Sequence, residues 1–175
     1  DAAHCIGAKH QEKSIGLWGD FSAISFDAQK NISCGEGGVL LVKQKHHAVV
    51  EKVYENGTDK RAFDRGDIPL YSWQCIGSKF AISEYDAAVL LPLLQKVAEI
   101  TCERRKAWDK LFEAVLNHDI LSAFLPKHLY NLNHNGHIFW LCAESKESAQ
   151  YWVDWFKKND VQAKKILIIE VFKRK

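Results

Sequence analysis

Methionine is absent from all 175 residues, position 1 included, so residue 1 is not read as a translation start and an incomplete or processed chain is the expectation. Long hydrophobic runs are absent as well. Nothing approaches the roughly 18 apolar residues of a membrane span, and residues 1–10 lack a basic stretch leading into an apolar one. Charge of one sign is missing: 24 Lys and Arg oppose 22 Asp and Glu, a formal +2, which gives no electrostatic case for nucleic acid. The five cysteines, Cys5, Cys34, Cys75, Cys102 and Cys142, are odd in number, scattered and never in a C-x-x-C pair, so neither a disulfide framework nor a zinc site is signalled. These absences lead to the expectation of a cytoplasmic globular chain without a membrane, metal or nucleic-acid partner. The 47% hydrophobic and 26% charged residues permit a sizeable core and exclude a disordered chain.

What is present has strand-and-loop texture at the start. Gly7, Gly16, Gly19, Gly35, Gly37 and Gly38 punctuate short apolar stretches, predicting a strand over 21–26 and a buried one over 39–42. Residues 44–56 fit a helix, and 56–77, with Asn56-Gly57, Gly66 and Pro69, fit an exposed excursion. Ser83 and Asp86 make an S-x-x-D start for one or two helices over 84–116, with a kink or break expected near Pro92. Residues 137–142 and 166–172 read as strands, and 148–158 as a helix with Ala149, Trp152, Val153 and Phe156 on one face. No repeat or Pro/Ser-rich linker is visible, so a domain boundary is placed by pattern change within 90–110.

Several side chains could carry chemistry. Lys30 follows a predicted strand and precedes the glycine-rich Cys34-Gly35-Glu36-Gly37-Gly38, the position of either a Schiff-base nucleophile or a solvated surface charge. The glycine cluster itself permits backbone to approach an anion, or simply a tight turn. Asp1 and His4 could together orient a base or a cofactor ring, or form an inconsequential loop pair. His46-His47 and the His134-x-x-His137 pair invite a metal reading, but positions three apart on a strand face opposite sides. Arg104-Arg105-Lys106 and Lys173-Arg174-Lys175 read as solvated charge. Trp108 with Phe112, and Trp152 with Phe156, have helical spacing that favours core packing over ligand stacking.

Taken in order, Asp1-Ala2-Ala3-His4, Gly7-Ala8, Gly16-x-x-Gly19-Asp20-Phe21, Ser25-Phe26-x-x-x-Lys30-Asn31 and Gly35-Glu36-Gly37-Gly38 resemble the pyridoxal-phosphate-dependent, fold-type-I sugar aminotransferases of the DegT family. Downstream, residues 56–66 and 71–78 are similar to the branch that makes dTDP-4-amino-4,6-dideoxygalactose from the nucleotide-linked 4-keto-6-deoxyglucose. The resemblance runs from residue 1 to about residue 163, the middle of the family's usual length. It implies an α/β architecture: part of the large domain, with its mostly parallel central sheet and helices, over 1–95, and part of an α+β C-terminal small domain over 96–175.

The resemblance also implies roles. Lys30 would hold pyridoxal 5′-phosphate and act as the catalytic acid/base, Asp1 would pair with the ring nitrogen, His4 would lie on the ring, and Ser25 would donate to the phosphate. Lys79 stands where the family often has an asparagine that reaches the partner subunit's cofactor phosphate, and a lysine serves a phosphate as a point charge. The implied partners are a nucleotide-sugar substrate, an amino-acid donor such as glutamate, and a second copy of the chain in a homodimer. Lys30 disfavours the family's dehydratases, which carry histidine there. Two other expectations stand beside this one: a non-catalytic relic, and a family member acting on another keto sugar. A shortened sheet leaves open edges and apolar surface, so the isolated 175-residue chain is expected to be poorly soluble and inactive.

Overall fold

The computed structural model describes residues 1–126 and 133–164. It divides into two compact units, Asp1–Asp109 with Asn131–Ile138, and Lys110–Tyr130 with Phe139–Lys175. The first unit opens with a two-residue hairpin, β1 (Lys9–His10) against β2 (Lys13–Ser14), turned by Gln11 and Glu12 at positive φ. A second antiparallel pair joins β3 (Phe21–Ser25) to β4 (Gly38–Val42), with Phe21 opposite Val42 and Ser25 opposite Gly38. Both strands fall where they are predicted, but β4 is not the buried strand expected: Val39 and Leu40 are exposed, and Leu41 and Val42 half-buried. The two ladders among the described residues are antiparallel, and only the isolated Asp27–Gly35 bridge runs parallel.

Residues 26–37 between β3 and β4 form a closed loop. Phe26 donates its amide to Gly37 O at 2.9 Å, and Cys34 donates to Phe26 O at 3.1 Å. Buried Phe26 and Ile32 anchor that loop against Leu90, with Ile6, Ile24, Ile82, Leu93, Val97 and Ile100 packed around them. This apolar cluster holds the loop that carries Lys30 rigidly against the following helices.

Helix α1 spans His47–Tyr54, and the short α2 spans Lys60–Asp64. The stretch 56–77 is the predicted excursion: Trp73 is 79% exposed and Ile76 97%. Helix α3 covers Glu84–Gln95, capped by Ser83 Oγ accepting from Asp86 N at 3.1 Å, as the S-x-x-D pattern requires. Pro92 sits inside α3, and the chain breaks at Lys96 before α4 (Val97–Leu116).

The strand expected over 137–142 does not form. Its carbonyls serve side chains instead, Trp108 Nε1 donating to Ile138 O at 3.1 Å and Arg104 to His137 O at 3.4 Å. Cys142 N donates to Phe124 O at 2.7 Å, and residues 137–142 join no strand ladder among the described residues. In the second unit, α5 (Lys146–Lys158) is capped by Ser145 Oγ, which accepts from Ser148 N at 3.1 Å. The 148–158 helix expectation holds, with Phe124 edge-on to Trp152 at 5.6 Å between centroids. The strand expected over 166–172 lies outside the described residues. Among the described residues no helix is long and apolar enough to cross a membrane.

Candidate functional site

Lys30 is placed by a turn written into its own sequence. Ser25 Oγ accepts from Asp27 N at 3.2 Å, Asp27 Oδ1 accepts from Gln29 N at 3.0 Å, and Lys30 N donates to Asp27 O at 2.9 Å. Each short polar side chain satisfies a backbone donor two residues on, which winds the chain tightly at the exit of β3. The half-buried Lys30 then turns its amine toward the N-terminal loop, where Nζ lies 2.8 Å from His4 Nε2. Among the described residues Lys30 forms no ion pair with a carboxylate.

His4 is fixed from below and behind. Ala2 is buried and donates its amide to Ala23 O of β3 at 2.9 Å, so residues 1–8 lie along the sheet. Asp1 Oδ1 accepts from Ala3 N at 2.9 Å in the same turn. The carbonyls of His4 and Ile6 both accept from Asn135 Nδ2, at 2.7 and 2.8 Å. Asn135 is only 5% exposed, and its Oδ1 accepts from His137 N at 3.2 Å. One buried amide therefore ties the His4 loop to the segment that carries His137.

His137 closes the cluster. Its ring lies 4.4 Å from that of His4, centroid to centroid, and its Nδ1 is 2.6 Å from Asn31 Oδ1. Asn31 Nδ2 in turn donates to Asn135 O at 3.1 Å. Burial, together with the nearby His4, Arg104 and Lys30, pushes the His137 pKa down to about 4, so this ring is neutral at physiological pH. His134 takes a different place, 4.3 Å from Trp108, and burial lowers its pKa too. The two histidines that sequence spacing set up as a possible metal pair thus serve two separate rings.

Helix α4 is the platform beneath. Gly136 has φ +62°, and a Cβ there would lie 2.8 Å from the Arg104 carbonyl carbon and oxygen. Only glycine allows this close passage over the helix backbone. Gly7, at φ +82°, crosses the same helix where a Cβ would meet Thr101 Oγ1.

Of the residues singled out from sequence, Lys30 and His4 are in direct contact, Ser25 ends β3 and bonds Asp27 N, and Asp1 bonds Ala3 N. Lys79 is elsewhere: its ammonium is paired with Glu55, a side chain whose residue is 7% exposed and which also faces Arg61 Nε at 3.6 Å. The hydrogen bond from Lys79 holds the Glu55 carboxyl below the usual carboxylate range, aided by Arg61. Sequence reasoning did not single out Asn135; it quoted Asn31 only within the Lys30 motif, weighed His137 as a strand residue or a metal ligand, and read Arg104 as solvated charge, whereas Arg104 donates to His137 O. The crowding of Asn and His around Gly136 was the available signal, since such residues favour side-chain to backbone bonding and positive φ.

The sequence profile of the DegT/DnrJ/EryC1/StrS aminotransferase family matches residues 1–171. The chain belongs to this family. The match continues past residue 163, where the resemblance read from motifs stops. Among solved structures, Helicobacter pylori PseC, an aminotransferase involved in the biosynthesis of pseudoaminic acid, superposes with a TM-score of 0.72 at 21% identity. That alignment covers 91% of this chain and 42% of PseC. The Escherichia coli GDP-4-keto-6-deoxy-D-mannose-3-dehydratase with bound hydrated PLP gives 0.77 at 14% identity, covering 96% of this chain and 46% of that one. A DegT DnrJ EryC1 StrS aminotransferase from Brucella abortus gives 0.68 at 20%, covering 90% and 39%. These likenesses establish the fold as that of the PLP-dependent aminotransferases, and the chain spans less than half the length of each neighbour.

Proposed function

We propose that the chain carries the cofactor-anchoring part of a pyridoxal 5′-phosphate-dependent sugar-nucleotide aminotransferase. The reaction is transfer of an amino group from glutamate to the 4-keto carbon of a dTDP-4-keto-6-deoxyhexose, within nucleotide-sugar biosynthesis for cell-surface polysaccharide. The enzyme acts in the cytoplasm as a homodimer. The observation that carries this reading is the 2.8 Å contact between the Lys30 amine and the His4 imidazole.

The residues present fit the cofactor. A lysine that adds to an aldehyde reacts as the free amine, and an imidazole nitrogen at hydrogen-bond distance is a base able to take its proton. Ser25 Oγ accepts from Asp27 N with a lone pair, which leaves its hydroxyl hydrogen to donate to a phosphate. Asp1 accepts from Ala3 N and retains further lone pairs for a protonated ring nitrogen. Bound pyridoxal phosphate would supply the electron sink that lets an α-proton leave the amino donor. The chain's own groups hold and move the proton: Lys30 Nζ carries it, and His4 Nε2 is its hydrogen-bond partner. Lys79 would meet the partner subunit's cofactor phosphate as a point charge, leaving or sharing Glu55 to do so.

Support for the sugar class comes from residues 56–66 and 71–78, whose sequence resembles the 4-amino-4,6-dideoxygalactose branch. A lysine rather than histidine at position 30 favours amino transfer over the dehydration chemistry of the E. coli neighbour. The test loads the full natural protein with pyridoxal phosphate and adds L-glutamate. One equivalent of 2-oxoglutarate is expected, and then, with dTDP-4-keto-6-deoxyglucose, a product bearing an amine at C4 by NMR. No 2-oxoglutarate, or a deoxygenated sugar without an amine, would sink the reading.

A further inference from the structure

The cluster contains one group that amino transfer does not itself require. His137 is on neither the Lys30 loop nor the His4 loop, yet its ring is placed against His4 and bonded to the residue that follows Lys30. Its tautomer follows from its partners. Asn31 Nδ2 donates to the carbonyl of Asn135, so Oδ1 is the atom that faces the ring, and an acceptor there requires a proton on His137 Nδ1. With the ring neutral, Nε2 is bare, and the face presented to His4 carries no charge.

That neutrality matters because the neighbourhood already holds cations. Lys30 lies against His4, and Arg104 on α4 donates to the His137 carbonyl at 3.4 Å. The charged or titratable groups facing His137 from the N-terminal loop, the 26–37 loop and α4 are His4, Lys30 and Arg104, all basic. A charged imidazolium at position 137 would repel a proton placed between Lys30 and His4. A neutral ring, by contrast, packs on His4 and limits its rotation without adding charge.

We propose that His137, held by Asn31 as its Nδ1–H tautomer, is a positioning residue that keeps the His4 ring against the Lys30 amine beside an uncharged surface. This rests on the reading of Lys30 as the pyridoxal-phosphate lysine. His137 acts through His4 and touches no reacting atom. Loss of its Asn31 bond frees the ring and loosens His4, so that a protonated nitrogen at Lys30 in the cofactor-loaded protein would lose its hydrogen-bond acceptor. The protonation midpoint of the Lys30–cofactor chromophore therefore moves to lower pH.

The experiment titrates the absorbance of the pyridoxal-phosphate-loaded full protein against pH, with borohydride reduction and peptide mapping on the same samples. His137→Phe and Asn31→Ala are each expected to keep the reduced adduct on Lys30 while lowering the midpoint by about one pH unit. In a His4→Phe background, His137→Phe is expected to shift nothing further, because its effect travels through His4. A midpoint unmoved by either single substitution, or an undiminished shift in the His4→Phe background, overturns the inference while leaving Lys30 as the anchor. Absence of any Lys30 adduct in the unaltered protein overturns the proposed function and this inference together. A second measurement needs no variant to fold: imidazole nitrogen NMR of the unaltered, cofactor-free protein. It is expected to show His137 as the Nδ1–H tautomer and uncharged at pH 5.5; the Nε2–H tautomer, or titration near pH 6.5, overturns the proposal.

Discussion

Replacing Asn135 with alanine isolates the contribution of a single buried amide to the site. The side chain makes three hydrogen bonds, donating to His4 O and Ile6 O and accepting from His137 N. Opening the 1–8 segment breaks the two bonds to His4 O and Ile6 O, so at about 1 kcal/mol net for each their loss lowers the free energy of that opening by about 2 kcal/mol. The amides to watch are those of Cys5, which donates to Ala2 O, and Ala8, which donates to Cys5 O, both at 2.9 Å. Native-state hydrogen exchange at these positions is expected to speed up roughly 30-fold, the equivalent of that free energy. Asn135→Asp has nearly the same shape and separates volume from bonding. At neutral pH it sets a carboxylate oxygen toward two carbonyl oxygens, so its effect is expected to be at least as large. Exchange in Asn135→Ala within about threefold of the unaltered protein would refute the reasoning, since that is the scatter of inconsequential substitutions.

Other consequences can be read with ordinary unfolding measurements. Gly136→Ala places a Cβ 2.8 Å from the Arg104 backbone at φ +62°, whereas Gly35→Ala shares the positive φ, at +96°, with nothing within 4 Å. Both variants should lose about 1 kcal/mol for the backbone conformation, and Gly136→Ala clearly more; equal denaturant midpoints would contradict the close-approach argument. His137 is held neutral in the folded state down to about pH 4, while the unfolded chain takes up its proton near pH 6.5. Stability from this group is therefore full above pH 6.5 and falls as pH drops toward 4, and thermal unfolding of His137→Phe should show a shallower loss across that window. Parallel curves would rule the linkage out. The depressed Glu55 carboxyl has the same acid direction at lower pH: its stabilisation is present above about pH 4.5 and lost as pH falls through its folded value. Glu55→Gln should flatten that part of the acid-unfolding curve, and an unchanged slope would count against it.

Much of the framework was legible because local chemistry dictates it. Ser83 and Asp86 write their own helix start, β3 and β4 have the composition of strands, and the Asn-Gly and Pro-Leu-Tyr stretch between 56 and 77 turns outward as its breakers require. The ordered motifs around Asp1, His4, Ser25 and Lys30 carried the family assignment. Residues 137–142 misled because β-propensity describes a fit to a sheet, and no strand among the described residues pairs with them. Their carbonyls go to Trp108 and Arg104, donors on α4 some 30 residues away in sequence. A greater separation, more than 100 residues, hid Asn135 and His137, whose roles depend on contacts with residues 4, 6 and 31 that no local spacing reveals. Lys79 was legible as a cation near the expected phosphate-reaching position, but its buried Glu55 partner is a tertiary fact.

The most direct test of the account is reduction of the protein with borohydride in the presence of pyridoxal phosphate, followed by peptide mapping. The account predicts a single reduced adduct on Lys30, the amine held 2.8 Å from His4, and its loss in Lys30→Ala. Labelling spread over several lysines, or an adduct that persists when Lys30 is replaced, would contradict it.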